Sequence, residues 1–166
     1  MNERAPAPGG LALVEALVNT LDVESGADSL DTPEALARFA LAPQDVPAAR
    51  ALREALREAC LAHAGHGTST TLDALLADAP LRVSISPVGE AALRPAGPPT
   101  LLARIAEAVA TASAEGTWLR LKACEAEDCR WAYYDRSPAA RSRWCSMAVC
   151  GARSKMRTYR SRRSGG

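Results

Sequence analysis

Four cysteines near the C-terminus form two pairs at one spacing. Cys124 and Cys129 stand in CEAEDC, Cys145 and Cys150 in CSMAVC, and fifteen residues separate the pairs. Zinc takes four donors at tetrahedral corners with sulfur about 2.3 Å away, so each pair must be close in sequence and the fold must bring the pairs together. The five-residue step is looser than the usual C-x2-C and leaves two disulfides or four unpaired thiols as alternatives. A shell of four sulfurs gives zinc no open position for water or substrate, so the expected metal is structural and the chain is not expected to be an enzyme.

Two other groups invite a chemical reading. Cys60, His63 and His66 in CLAHAGH have ligand-like spacing, yet Cys60 falls on the inward stripe of a helix as a small buried residue, and the histidines sit at a Gly-rich helix end that favours cations. Asn19, Thr20 and Asp22 cluster at the end of an apolar helix. They line a small-molecule pocket, or they cap the helix and tie it to the next loop.

Charge is unevenly placed. Net charge is +1, but residues 1–119 balance to −7 and residues 120–166 to +8. Four thiolates and one zinc ion leave the C-terminal part at about +6. Since 18 of the 20 basic residues are Arg, placement must carry the argument rather than abundance. On a helix after Cys150, Ala152, Met156 and Tyr159 fall within roughly 40° of one another, while Arg153, Arg157 and Arg160 cluster about 80° to 140° away. Lys155 and Arg162 flank the stripe on its other side. That pattern predicts Met156 and Tyr159 packed under the knuckle and a row of guanidiniums turned outward, suited to phosphate and guanine.

The elements that must position these groups are mostly helices. With 48% hydrophobic and 4% aromatic residues, the core must be Ala, Leu and Val. Leu13, Leu17 and Leu21 predict a helix over about 11–22. Thr32 and Pro33 start a second. A third follows Pro47, with Leu52, Leu56, Ala59 and Cys60 on one face and Arg50, Arg53, Glu54, Arg57 and Glu58 elsewhere. A short helix holds Leu72, Leu75 and Leu76, and another runs from about 98 to 114 until Gly116 ends it. Leu81, Val83 and Ile85 alternate before a Pro/Gly turn, which predicts a hairpin, and two short strands flank the first cysteine pair.

The fold class is therefore mainly α: a multihelical domain with a small hairpin over 11–117, then a zinc-binding hairpin-plus-helix module over 118–163. Residues 1–10 and 164–166 are expected to be a flexible leader and tail. The N-terminus lacks a signal-like pattern and no apolar run reaches the roughly 20 residues of a membrane span, so the chain reads as cytoplasmic, where paired cysteines are more often metal ligands than disulfides.

The chain resembles the CGNR zinc finger proteins, whose N-terminal part is the ABATE domain of stress-induced transcription regulators. VNTLD at 18–22 and DTPEALARF at 31–39 look like the ABATE signature, and C…CRWAYYDRS…RWCSMAVCGARSK looks like the zinc finger. Cys124, Cys129, Asp135, Ser137, Arg143, Trp144, Cys145, Ser146, Met147, Cys150, Gly151, Arg153 and Lys155 match; Ala152 stands where the family carries Asn. The resemblance implies a mainly helical fold, bound zinc and a DNA-binding role.

Together these readings predict a DNA-binding transcription regulator with zinc on the four cysteines and DNA contacts from Arg143, Arg153, Lys155, Arg157 and Arg160. A small-molecule effector would sit at Asn19, Thr20 and Asp22. The alternative is a zinc-stabilised adaptor whose basic helix takes an acidic protein partner.

Overall fold

Leucine and valine build the centre. Helix α1 (Leu11–Val18) buries Leu11, Val14, Leu17 and Val18, and at its start Gly10 approaches Ala108 so closely that a Cβ there would lie 2.7 Å from the Ala108 Cβ. The computed structural model describes residues 5–164, apart from the side chains of Thr158 and residues 161–164. The outer ends of the expected leader and tail, residues 1–4 and 165–166, and the Arg162 side chain lie outside the described residues.

α1 stops at Val18, short of the expected 22. Asn19 and Thr20 turn their side chains to backbone groups instead, and an isolated bridge pairs Leu21 with Asp28. Helix α2 (Pro33–Phe39) begins as predicted, the Thr32 hydroxyl accepting the Ala35 N–H with Pro33 at the first helical position. Helix α3 (Val46–His63) is the longest and buries Leu52, Leu56, Ala59 and Cys60 as expected. It also buries Arg53 and Arg57, which the amphipathic reading set on the outer side. Both are spent on the fold. Arg53 donates to Asp28, Glu54 and Thr20, and Arg57 donates to Glu54 and to the Val18 and Arg130 carbonyls.

Helix α4 (Leu72–Leu76) is short. The hairpin β1 (Leu81–Ile85) and β2 (Ala91–Pro95) forms with Val83 opposite Leu93. Its apolar side faces water, with Val83 65% and Ile85 63% exposed, while Arg94 reaches back to Glu107 of α5. Helix α5 (Leu101–Ala114) is capped by Thr100 and runs until Gly116 takes a left-handed φ of +69°.

The last third is built around a second hairpin, β3 (Leu121–Ala123) and β4 (Ala132–Tyr134), with Leu121 opposite Tyr134 and Ala123 opposite Ala132. Trp118–Arg120, just before β3, forms a 3-10 turn. Alternation along the strands gives the hairpin two faces. Leu121, Ala123, Ala132 and Tyr134 complete the core of α1, α3 and α5. Tyr133, on the other side, joins Ala126 and the cysteines Cys124, Cys145 and Cys150 in a second, smaller core. The segment break at 117/118 therefore does not divide the cores. Nor are residues 5–10 a loose leader: Ala7 is buried, its N–H donates to the Glu15 carboxylate at 2.7 Å, and Arg136 donates to the carbonyls of Ala5 and Pro6. A π-type turn, Met147–Gly151, leads into helix α6 (Ala152–Ser164). Among the described residues the protein is mainly helical with two small antiparallel hairpins, and no helix is long and apolar enough to cross a membrane.

Candidate metal centre and basic face

The two cysteine pairs meet. All four sulfurs lie within 4.8 Å of one another, and among the described residues they are the one group so gathered. Cys129 to Cys145 is 3.6 Å and Cys145 to Cys150 is 3.7 Å. A tetrahedron with metal–sulfur bonds of about 2.3 Å has edges of about 3.8 Å, whereas a disulfide needs about 2.05 Å. All five cysteines are free in the structure, and the sulfur separations match the metal geometry rather than a disulfide.

Each pair is shaped by its backbone. Cys124 leaves β3 with its N–H on the Trp131 carbonyl, and the chain folds back on Ala126, whose carbonyl takes the N–H of both Cys129 and Arg130. Arg130 closes that turn at a left-handed φ of 52°. In the second pair the Ser146 hydroxyl caps Val149 N–H and the Ser146 carbonyl accepts Gly151 N–H, a five-residue step that widens the turn between the sulfurs. Gly151 is closely packed: a Cβ there would lie 3.1 Å from the Met147 sulfur and 3.2 Å from the Trp144 ring, so both side chains would have to give by a few tenths of an ångström.

Crowding of the sulfurs shifts their proton affinities in opposite directions. Hydrogen bonds from Cys129 and Cys145 hold the Cys124 thiol far below its ordinary range, and the same proximity to Cys124 pushes Cys129 and Cys145 up. One negative charge is accommodated and further ones repel. A dication relieves that repulsion and lets all four thiols ionise.

Beneath the knuckle lies an ion pair that sequence reasoning missed. Asp135 is fully buried: it accepts the Lys122 ammonium at 2.9 Å and the N–H groups of Ser137 and Ser142 at 3.0 and 2.8 Å. Burial alone would raise its carboxyl, but hydrogen bonds from Ser137 and Lys122 hold it well below the usual carboxylate range. The signal available in the sequence was Lys122, a lone charge on a strand of buried residues.

The basic residues are arranged differently from the prediction. Ala152, Met156 and Tyr159 do not pack under the knuckle; they face water, Met156 53% and Tyr159 57% exposed, in line with exposed Met147 and Val149. The body-facing side of α6 carries half-buried Ser154, so the helix is turned away from the expected seating. Arg153 donates to Glu24 at 2.9 Å and Arg157 to Asp128 at 3.3 Å. Arg143 forms a two-pronged pair with Glu125 and lies over the Trp144 ring. Lys155 and Arg160 are exposed on the helix. Five predicted residues thus share one end of the molecule, and Arg143, Arg153 and Arg157 each hold a carboxylate.

The other predicted groups are structural. Asn19 is bonded twice to the backbone of Ala132. Thr20 donates to the Leu17 carbonyl and accepts from Arg53. Both are therefore committed to packing rather than to a pocket. Asp22 caps its own loop through the N–H groups of Glu24 and Ser25, and reaches a cleft of about 230 Å³ that Glu24, Trp131, Cys129 and Arg153 also line. Cys60 is buried with its thiol pushed up to about 12 by burial. His63 lies 2.7 Å from the Leu121 carbonyl and edge-on to Trp118, tying α3 to β3, and His66 stands 3.5 Å from Glu125.

No curated protein matches the chain. The pattern of the CGNR zinc finger matches residues 120–163, the segment that holds the four sulfurs and α6. The pattern of the ABATE family, described as "Putative stress-induced transcription regulator", matches residues 11–116, the helical part. That second match covers more than half of the sequence, so the chain belongs to the ABATE family and carries a CGNR zinc finger as its C-terminal part.

Proposed function

We propose that the protein is a DNA-binding transcription regulator without enzymatic activity, in which a zinc ion on Cys124, Cys129, Cys145 and Cys150 fixes α6 against the helical body. The observation that carries the reading is the placement of four sulfurs, at zinc-tetrahedron spacing, at the root of a helix bearing Arg153, Lys155, Arg157 and Arg160. Zinc supplies a rigid crosslink there. A free basic helix would lose about 1–2 kcal/mol of backbone entropy for every residue ordered on DNA, and a stapled one has lost much of that beforehand. The carboxylates on Arg153 and Arg157 do not oppose the reading, because exposed ion pairs are worth about 0–1 kcal/mol and phosphates replace them readily.

One observation favours a second reading, a zinc-stabilised adaptor for an acidic protein partner: Met147, Val149, Met156 and Tyr159 present apolar surface beside the arginines. Titration of labelled duplex DNA with zinc-loaded protein at roughly 0.15 M salt separates the two. The DNA reading expects the Arg153/Arg157/Arg160 triple-Ala variant to lose most of its affinity, with a logarithmic salt slope smaller by about one for each lost phosphate contact. Unchanged affinity in that variant transfers the assignment to the adaptor.

A further inference from the structure

We infer that the helical domain holds a binding site for a small neutral molecule with an apolar body and one hydroxyl, in a cavity of about 270 Å³ where the starts of α3 and α5 diverge. The walls are Ala49, Leu52, Leu75, Leu101 and Leu102, from three helices, and Ala48 stands exposed at the mouth. The opening is a cleft rather than a sealed void, with Asp45, Ala48 and Thr100 exposed around it and the aliphatic walls behind them. Its cause is local. Ala40 takes a left-handed φ of 55° and turns the chain off the end of α2, and small Ala48 and Ala49 then occupy the first turn of α3. Aliphatic walls offer water no partners, so water held there is displaced at little cost.

The rim sets the ligand's polar end. Asp45 uses one carboxylate oxygen to accept the Ala42 N–H, which leaves the other as an acceptor. Thr100 accepts the Ala103 N–H through its hydroxyl oxygen, which leaves the hydroxyl hydrogen to donate. A hydroxyl group gives one hydrogen bond and takes one, so it answers both, while an anion is repelled by Asp45. The volume admits on the order of ten non-hydrogen atoms, at roughly 30 Å³ each. Position gives the site a second property: α3, its longest wall, carries Arg57 and His63, which hold Arg130 and Leu121 of the metal-bearing part. An occupant wedged between α3 and α5 presses on that helix.

The test uses the full zinc-loaded chain with carbon-13-labelled leucine methyls, titrated with benzyl alcohol to about 10 mM, a range that covers millimolar affinity. Expected are saturable shifts at Leu52, Leu75, Leu101 and Leu102 that vanish in Ala48→Leu, which plugs the mouth, and persist in Ala48→Ser, which leaves it open. Leu75→Phe fills the same space from α4 and is a second closure should Ala48→Leu not fold. Benzoate, the same ring with a charge, should bind at least tenfold more weakly. Absence of saturable shifts in the unaltered chain, or equal shifts in both filled variants, overturns the site; equal binding of benzoate overturns the ligand class.

Discussion

Asn19 bonds both hydrogen-bonding groups of one residue 113 positions away: its amide nitrogen donates to the Ala132 carbonyl at 2.9 Å, and its carbonyl oxygen accepts the Ala132 N–H at 2.7 Å. The side-chain amide thereby acts as a one-residue third strand beside β4, covering backbone groups that α1 would otherwise leave dry and unpaired. Replacing Asn19 by Ala removes both bonds together and is expected to lower unfolding free energy by about 2 kcal/mol in urea titration, with the metal still bound. Asn19→Asp should cost at least as much, because a carboxylate then faces the Ala132 carbonyl. A loss under about 0.5 kcal/mol in Asn19→Ala contradicts the strand-mimic role.

Removing the metal should dismantle the second core and not the first. Protein purified without chelator is expected to hold one zinc per chain, and Cys145→Ser to hold little. Hydrogen exchange should then rise over the knuckle and α6, while β3 and β4, anchored by Leu121, Ala123, Ala132 and Tyr134 in the helical core, stay protected. Exchange spreading evenly through β3 and α3 would contradict two separate cores.

Glu24 sits on the loop after the VNTLD segment and holds Arg153 from 129 residues away. If α6 binds DNA, this carboxylate competes with phosphate for the same guanidinium. Glu24→Gln should tighten duplex binding about two- to fivefold at roughly 0.15 M salt, the range an exposed pair permits, and less at high salt. Unaltered affinity in Glu24→Gln, with DNA binding otherwise intact, removes Glu24 from the regulation while leaving the DNA reading in place.

The Lys122–Asp135 pair makes a pH prediction. The folded Asp135 carboxyl titrates below its unfolded value of about 3.9, so its contribution is fully present above that value and is lost as pH falls through the folded one. His63 acts in the same sense at higher pH, because burial lowers its proton affinity and the unfolded chain gains a proton first, below about 6.5. Stability should therefore fall in two steps on acidification. Asp135→Asn strands a buried ammonium and should cost about 3 kcal/mol or more, and it should shrink the lower step, to which Asp22, Asp28 and Glu125 also contribute, while sparing the upper. Thermal melts across pH check both.

What the sequence made legible was local. Thr32 and Pro33 announce α2 because a capping hydroxyl and a missing N–H act within one turn, and the cysteine spacing works the same way. Arg53 and Arg57 lie off the apolar stripe in the sequence pattern, yet both are buried. They follow Ala49 and precede Cys60 at steps of four, four and three, which puts them on the buried edge of the stripe. Their acceptors, the Val18 and Arg130 carbonyls, are backbone atoms with no residue-type signature. The α6 stripe failed for a related reason: periodicity says that Met156 and Tyr159 share a face, but which face meets the body depends on tertiary contacts such as Arg153 with Glu24 and Arg157 with Asp128.

The hairpin with one face in each core bears on whether the zinc finger is portable. Cut out alone, residues 118–163 would bring Leu121, Ala123, Ala132 and Tyr134 to the surface together, a contiguous greasy flank of the kind that drives association. Fingers strung on flexible linkers swivel independently and can be shuffled between proteins. Here the hairpin shared by both cores ties the root of α6 to the helical body, so a partner docking on α6 would have to find room for that body as well.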